Sequence, residues 1–187
     1  MEEATLTQLL DRPLAAGSTL YPQTMPVSPS VRAAEDFYLR GSGQPGRQIL
    51  IQVTGPDGSL RRTWLATHME QQINGLLRLA PGWDGRRARP LTDEAVGSAI
   101  GLLFAVASDL SLPPQLFPLP DGGLQMEWHA GQSVEIEVDA VGDAHVLVAD
   151  ESGDILTNEE LAPADDVILA RTRRVIEDLS VRLTRAR

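Results

Sequence analysis

The sequence predicts an α+β fold, in which an antiparallel β-meander packs against two or three helices and an additional N-terminal β-hairpin completes the domain. Two observations predict this class. Between residues 115 and 157, apolar and polar residues alternate in short runs separated by glycine-containing turns, as in strands that bury one face. On both sides of this region, apolar residues recur at helical spacing. The length of 187 residues suits one domain of ordinary size.

The N-terminal quarter differs in composition from the rest. Residues 1–46 contain five prolines, and their apolar residues follow no sustained period. Terminal segments of this kind are often loose unless they dock onto a folded body. The sequence therefore predicts a weakly ordered N-terminal segment over 1–46 and a single α+β domain over 47–187.

A β-hairpin is predicted over residues 48–66. Residues 48–54 read QILIQVT, which is rich in β-branched side chains, and residues 55–58 (GPDG) supply a turn. Residues 60–66 form the predicted return strand. This hairpin either extends the sheet of the meander or forms a small layer of its own.

Three helices follow from periodicity and capping signals. Thr67 and Glu70 have the spacing of a capping box, which places the start of the first helix there. Thr92 is the predicted N-cap of a second helix over 92–110, which is apolar nearly all round and therefore buried on more than one side. The third helix, over 163–184, carries its apolar residues on one face.

The meander supplies the clearest strands of the chain. Leu124, Met126 and Trp128 alternate with polar residues, and the pattern repeats after a turn at residues 130–131. The helices 92–110 and 163–184 are expected to cover its apolar face. The predicted core comprises Ile51, Leu76, Trp83, Ile100, Leu103, Met126, Trp128, Ile136, Val138, Val175 and Leu179.

Charge is unevenly distributed along the chain, which has a net charge of −10. Residues 91–170 carry sixteen acidic residues and no arginine, whereas the flanking segments 61–90 and 171–187 carry six arginines each. One interpretation is internal neutralisation, with the arginine-rich C-terminal helix folding back across the acidic sheet. The other is an acidic surface that attracts a basic partner.

Composition excludes several kinds of chemistry. The chain has no cysteine, which excludes disulfides, thiolate metal sites and a cysteine nucleophile. All sixteen basic residues are arginine, so a Schiff-base or P-loop lysine is excluded as well. No cofactor is expected, and the predominantly acidic charge makes nucleic acid a poor partner. The absence of a secretory signal pattern and of a membrane-spanning run predicts a soluble cytoplasmic protein with no membrane partner.

Two segments carry a resemblance to a known family. Residues 80–90 read APGWDGRRARP, and residues 118–138 contain PLPDGGLQMEW followed by VEIEV. Over roughly residues 75–150 the chain resembles a family of small bacterial and phage proteins with a WDG loop, a PDGGIQLEW-like strand and an LEIEI-like strand. That family has no established activity, so the resemblance implies a fold unit and no catalytic residues. In the loop, Asp84 favours an Asx-type turn, and Trp83 either plugs a gap between two helices or is an exposed binding aromatic.

The first functional hypothesis is a non-catalytic protein-interaction module of bacterial or phage origin. Its acidic surface would engage a basic protein partner in an antitoxin-, immunity- or inhibitor-like role. The predicted partner-binding residues are Glu127, Glu135, Glu137, Asp139 and Trp83.

Two alternatives remain open from the sequence. The first is a metal-dependent hydrolase or nuclease using Asp121, Glu127, Glu135 and Glu137, an arrangement that resembles the PD-(D/E)xK nucleases except that Glu137 stands where they need lysine. A cross-strand approach of His129 to His145 beside Glu127 would be another way to build a metal site. The second alternative is an oligomeric structural or assembly protein.

Overall fold

The computed structural model describes residues 18–23, 37–42, 48–54, 59–108, 111–161 and 165–185. In these ranges the chain forms three helices and two antiparallel sheets, which confirms the predicted α+β class. No helix within the described ranges combines the length and the hydrophobicity needed to cross a membrane.

The larger sheet is the predicted meander. Its five strands are β5 (Gln115–Pro118), β6 (Leu124–Ala130), β7 (Gln132–Val138), β8 (Ala144–Ala149) and β9 (Ile155–Glu160). They lie in the order β5-β6-β7-β8-β9, and each neighbouring pair is antiparallel. The last strand extends three residues beyond the predicted end of the meander at residue 157.

Three of the connections in this sheet have the same construction. In the turns 119–123, 139–143 and 150–154, the first residue donates its N–H to the carbonyl of the fifth at 2.9–3.0 Å. The fourth residue is a glycine at positive φ in each case, with values of 101° at Gly122, 94° at Gly142 and 86° at Gly153. This is a three-residue hairpin with glycine in the left-handed position, which other residues reach only with strain.

A separate four-stranded sheet holds the predicted hairpin. It consists of β1 (Ser18–Gln23), β2 (Phe37–Ser42), β3 (Ile51–Thr54) and β4 (Leu60–Arg61), in chain order. The hairpin β3–β4 therefore belongs to a sheet of its own, and its turn at 55–58 lies outside the described residues. Strands β1 and β2 fall in the segment 1–46, whose predicted loose order and domain boundary stay predictions.

The helices are α1 (Trp64–Leu76), α2 (Asp93–Val106) and α3 (Asp166–Arg185). Thr92 is the N-cap of α2, as predicted, and its Oγ1 accepts a hydrogen bond from the N–H of Ala95 at 3.1 Å. α3 begins a turn later than expected, behind Asp165, whose carboxylate accepts from the N–H of Ile168 at 3.1 Å.

The predicted start of α1 is wrong. Thr63, not Thr67, is the N-cap, and the predicted return strand over 60–66 ends at Arg61. Leu65, Met69 and Ile73 lie four residues apart and are almost fully buried, so the helical period begins within the segment assigned to the strand. Glu70 does not close a capping box, since its carboxylate accepts from the N–H of Ile51 at 3.1 Å.

The main core lies between the helices and one face of the five-stranded sheet. Helices α2 and α3 contact each other, and both contact the central strands β6 and β7. The predicted core residues that are buried are Ile51, Ile100, Leu103, Met126, Trp128, Ile136, Val138 and Leu179. Leu76 and Val175 are half-buried and pack against this core, whereas the half-buried Trp83 does not belong to it, so its assignment to the core is wrong. On α3 the neighbouring Ile176 takes the fully buried place instead of Val175.

Helix α1 connects the two sheets through two side-chain amides. The Asn74 amide accepts from the N–H of Ile49 at 2.8 Å and donates to its carbonyl at 3.0 Å. The Gln72 amide accepts from the N–H of Leu116 at 3.2 Å and donates to the carbonyl of Pro114 at 3.1 Å. Each side-chain amide thus accepts one backbone hydrogen bond and donates another, as the backbone of a neighbouring strand would. Gln72 thereby covers part of the edge of β5 that has no neighbouring strand among the described residues.

Candidate interaction surface

The face of the five-stranded sheet that points away from the helices carries the predicted glutamates. Strand register aligns them in two rows across the sheet. One row reads Gln115, Glu127, Glu135, Leu147 and Asn158, and the next reads Phe117, Gln125, Glu137, His145 and Glu160. The surface formed by these two rows is called the outer face below. Glu127, Glu135 and Glu137 therefore share one face, because residues directly opposite in a sheet point the same way.

Two of these glutamates, Glu127 and Glu135, stand directly opposite each other on neighbouring strands. Like charges in that position repel. The Gln125 amide offsets part of this repulsion, since it donates to Glu127 Oε1 at 2.8 Å and to Glu135 Oε2 at 3.4 Å. On the other side, Glu127 Oε2 lies 3.0 Å from Nε2 of His129. The carboxylates are therefore held in place by local polar neighbours.

The arginines of α3 do not neutralise this face. Arg171 pairs with Glu159 at 3.5 Å and Arg182 pairs with Glu151 at 2.8 Å, both near the β9 edge, while Arg173 donates to the carbonyl of Ala105. Within the described part of the chain, no arginine forms an ion pair with a glutamate of the outer face. The prediction that this helix covers the apolar face of the sheet is confirmed. Among the described residues, its neutralisation of the acidic segment is confined to the pairs with Glu159 and Glu151, and the interpretation that it lies across the acidic face is wrong.

Asp121 and Asp139 shape turns instead of projecting from strands. Asp121 accepts from the N–H of Gly123 at 2.9 Å and, through its other oxygen, from the N–H of Ala140 at 3.2 Å. It therefore ties the β5–β6 turn to the β7–β8 turn. Asp139 Oδ1 accepts from two N–H groups within its own turn, those of Val141 and Asp143, both at 2.9 Å.

An acidic cleft of about 820 Å³ opens where these two turns meet. Its titratable lining consists of Asp121, Glu137, Asp139, Asp143, His145 and Glu160. Asp143 and Glu160 are exposed, and among the described residues no hydrogen bond or ion pair engages their carboxylates. The outer face and the cleft are continuous, because Glu137, His145 and Glu160 belong to both.

The geometry gives no support to a metal site in the described ranges. No group of three or more histidine and carboxylate side chains there is placed to hold a metal ion. Glu137 lies in the row beside that of Glu127 and Glu135, whereas Asp121 lies beyond the strand ends. The expected approach of His129 to His145 is wrong, because β7 runs between their strands and neighbouring strands are about 4.8 Å apart.

The WDG loop lies between α1 and α2. Asp84 Oδ1 accepts from the N–H of Arg86 at 2.8 Å and from that of Ala88 at 3.1 Å, which confirms the Asx-type turn. Trp83 is half-buried, and its indole N–H donates to the carbonyl of Arg89 at 3.2 Å. The side chain of Trp83 is therefore hydrogen-bonded within its own loop.

Sequence reasoning missed that the two segments carrying the resemblance are in contact. The N–H of Arg89 donates to the carbonyl of Pro120 at 2.9 Å, and that of Thr92 donates to the carbonyl of Gly122 at 3.0 Å. A Cβ on Gly122 would come within 2.8 Å of the carbonyl oxygen of Pro90. The glycines and prolines of both segments predicted turns. Only the tertiary structure shows that the two segments are hydrogen-bonded to each other.

The contacts of Asp121 lead to a testable prediction. Replacing Asp121 with Ala leaves two backbone N–H groups without their acceptor and should lower the free energy of unfolding by about 2 kcal/mol. Asp143→Ala is the matched control, with an expected change within about 0.5 kcal/mol because its carboxylate is exposed to solvent. Urea denaturation with and without Mg²⁺ or Mn²⁺ measures both. A metal-dependent gain in stability that Asp121→Asn removes would instead support the metal-site hypothesis.

Comparison with known proteins identifies no relative: no family model, curated protein or solved structure matches the chain. The family resemblance carried by the two segments therefore stays a prediction.

Proposed function

We propose that this protein is a non-catalytic interaction module of bacterial or phage origin that acts in the cytoplasm and binds a basic protein partner through its outer face. An antitoxin-, immunity- or inhibitor-like role fits such a module. One observation carries the proposal: in the described structure, the helices that contact the central strands leave this face uncovered, and its glutamates lack arginine partners.

The construction of the outer face favours binding. Three of its four glutamates, Glu127, Glu135 and Glu137, lie on β6 and β7, which are backed by the fully buried Met126 and Ile136. Side chains on such rigid elements lose little conformational entropy when a partner docks, so more of the interaction energy appears as affinity. The negative field of a face with few cations also accelerates encounter with a positively charged partner.

The face also contains apolar side chains that a partner can cover. Leu147 lies half-exposed beside Glu135, and Phe117 at the edge is 40% exposed. Interfaces of moderate affinity combine such apolar contacts with a charged rim. A partner that presents arginines around a small apolar patch fits this chemistry best, because the guanidinium group binds carboxylates in bidentate geometry.

Charge reversal on the central strands tests the proposal. The variant Glu135→Arg with Glu137→Arg should weaken binding to a partner captured from the native host by at least roughly tenfold at physiological salt, because like charges would then oppose each other. The partner is identified by mass spectrometry, and its affinity for each variant is measured by calorimetric titration.

The matched control makes the same charge change on α3, with Glu177→Arg and Asp178→Arg. Both residues are exposed and lie on the helix that packs against the opposite side of the sheet. This control should bind like the wild type. Retained binding by the outer-face variant, or equal loss in both variants, would count against the proposed surface.

A further inference from the structure

A second charged surface lies on the loop between α1 and α2. Its four arginines, Arg78, Arg86, Arg87 and Arg89, are all exposed in a chain whose net charge is −10. Among the described residues, none of them forms an ion pair. This group is called the arginine loop below. Because no carboxylate of the described residues engages these guanidinium groups, all four are available to a partner outside the chain.

The arginine loop is held in one shape. The N–H of Gly82 donates to the carbonyl of Ala88 at 2.8 Å, across the turn that Asp84 closes. The indole N–H of Trp83 donates to the carbonyl of Arg89, which lies near the other end of the loop. A loop fixed in this way presents its arginines without first having to be ordered, which lowers the entropic cost of docking.

The arginine loop and the acidic cleft share one turn. The loop and the following residues donate to the carbonyls of Pro120 and Gly122, while Pro120 and Asp121 also line the cleft. A positive and a negative surface thus lie side by side, yet within the described residues no ion pair joins them. Two such neighbouring surfaces become complementary when a second copy is related by a two-fold axis, because each copy then offers its loop to the other's cleft.

We propose that two copies of this chain form a symmetric dimer in which each arginine loop docks into the acidic cleft of the other. Five carboxylates, those of Asp121, Glu137, Asp139, Asp143 and Glu160, line the cleft and are opposite in charge to the four arginines of the loop. A second copy fits better than nucleic acid, because the acidic cleft beside the loop would repel phosphates. The proposal goes beyond the function proposed above: the two surfaces share Glu137, His145 and Glu160, whereas Glu127 and Glu135 belong to the outer face alone.

Two charge-reversed variants test the dimer. One carries Arg86→Glu and Arg87→Glu on the loop, and the other carries Asp143→Arg and Glu160→Arg in the cleft. Sedimentation velocity should show a salt-sensitive dimer for the wild type and roughly hundredfold weaker self-association for each variant alone, because like charges then face each other. An equimolar mixture of the two variants should form a heterodimer, since each reversed surface meets its complement.

A single pair of variants controls for net charge. Arg87→Glu and Arg174→Glu change the charge equally, but Arg174 lies exposed on α3, so only Arg87→Glu should weaken the dimer. A monomeric wild type at low salt, or a mixture of the double variants that stays monomeric, would overturn the proposal. Loss of binding to a DNA oligonucleotide by the loop variant of a monomeric protein would assign the loop to nucleic acid instead.

The two proposals fail separately. If the wild type is monomeric but the Glu135→Arg, Glu137→Arg variant loses a captured partner, the dimer is rejected and the proposed function stands. If the mixed variants restore a dimer but outer-face reversal leaves partner binding unchanged, the proposed function is rejected and the dimer stands.

Discussion

Gly123→Ala is expected to lower the free energy of unfolding by about 3 kcal/mol or more, because the new methyl group has no room. An ideal Cβ at this position would lie 2.3 Å from the carbonyl oxygen of Val138 and 3.0 Å from Asp121 Oδ1. Val138 lies at the end of the central strand β7, and backbone at that place cannot move without disturbing the sheet. The β5–β6 turn would have to lift from β7, and the contact between the two turns would weaken.

The control for this prediction is Gly153→Ala in the equivalent turn between β8 and β9. Gly153 has a φ of +86°, and a Cβ added there would meet no atom within 4 Å among the described residues. Its replacement should therefore cost only the strain of the left-handed backbone, about 1 kcal/mol. Equilibrium denaturation in urea compares the two variants. Equal stability of both would show that Gly123 is not packed against β7 as described.

Trp128→Ala should be the second large effect, with a loss of about 3–5 kcal/mol. Trp128 belongs to the core and is 4% exposed, and its indole N–H donates to the carbonyl of Leu112 at 2.9 Å. The N–H of Leu112 in turn donates to Oγ of Ser180 on α3 at 2.9 Å. Removing the indole therefore opens a cavity and also releases the connection that leads into β5.

Two comparisons separate these contributions. Trp128→Phe keeps most of the ring but leaves the Leu112 carbonyl without its donor, which should cost about 1–3 kcal/mol. Trp64→Ala removes a tryptophan that is 56% exposed and stacked on His68, and it should change stability by no more than about 1 kcal/mol. Thermal and urea unfolding measure all three variants. A Trp128→Ala variant as stable as Trp64→Ala would contradict the described core.

The sequence correctly predicted those strands and helix starts that depend on a single local pattern. The alternation around Met126 and Ile136 predicted the central strands, and Thr92 predicted the start of α2, because each depends only on near neighbours in the chain. The start of α1 was missed because Leu60 and Leu65 lie in one short segment. The spacing of apolar residues in so short a segment does not show where the strand ends and the helix begins.

The candidate surface was likewise predictable from the sequence only in part. Placing Glu127, Glu135 and Glu137 on one face required only the two-residue period and the hairpin register. The engagement of Asp121 by Ala140, and the contact of the WDG loop with the β5–β6 turn, join residues that no local pattern relates. The apolar stripe of α3 correctly predicted that this helix covers the apolar face of the sheet, whereas the distribution of charge along the chain favoured a neutralisation that, in the described ranges, reaches only Glu151 and Glu159.

By itself, the sequence determined which residues alternate, where glycine permits a turn and which chemistry is impossible without cysteine or lysine. Those properties follow from covalent structure and from the backbone preferences of neighbouring residues. Tertiary structure alone decided that the WDG loop contacts the β5–β6 turn and that the arginine loop lies beside the acidic cleft. Contacts between distant segments form only when burial of the shared core outweighs the entropy of ordering the chain, so the pairing of surfaces depends on the whole fold.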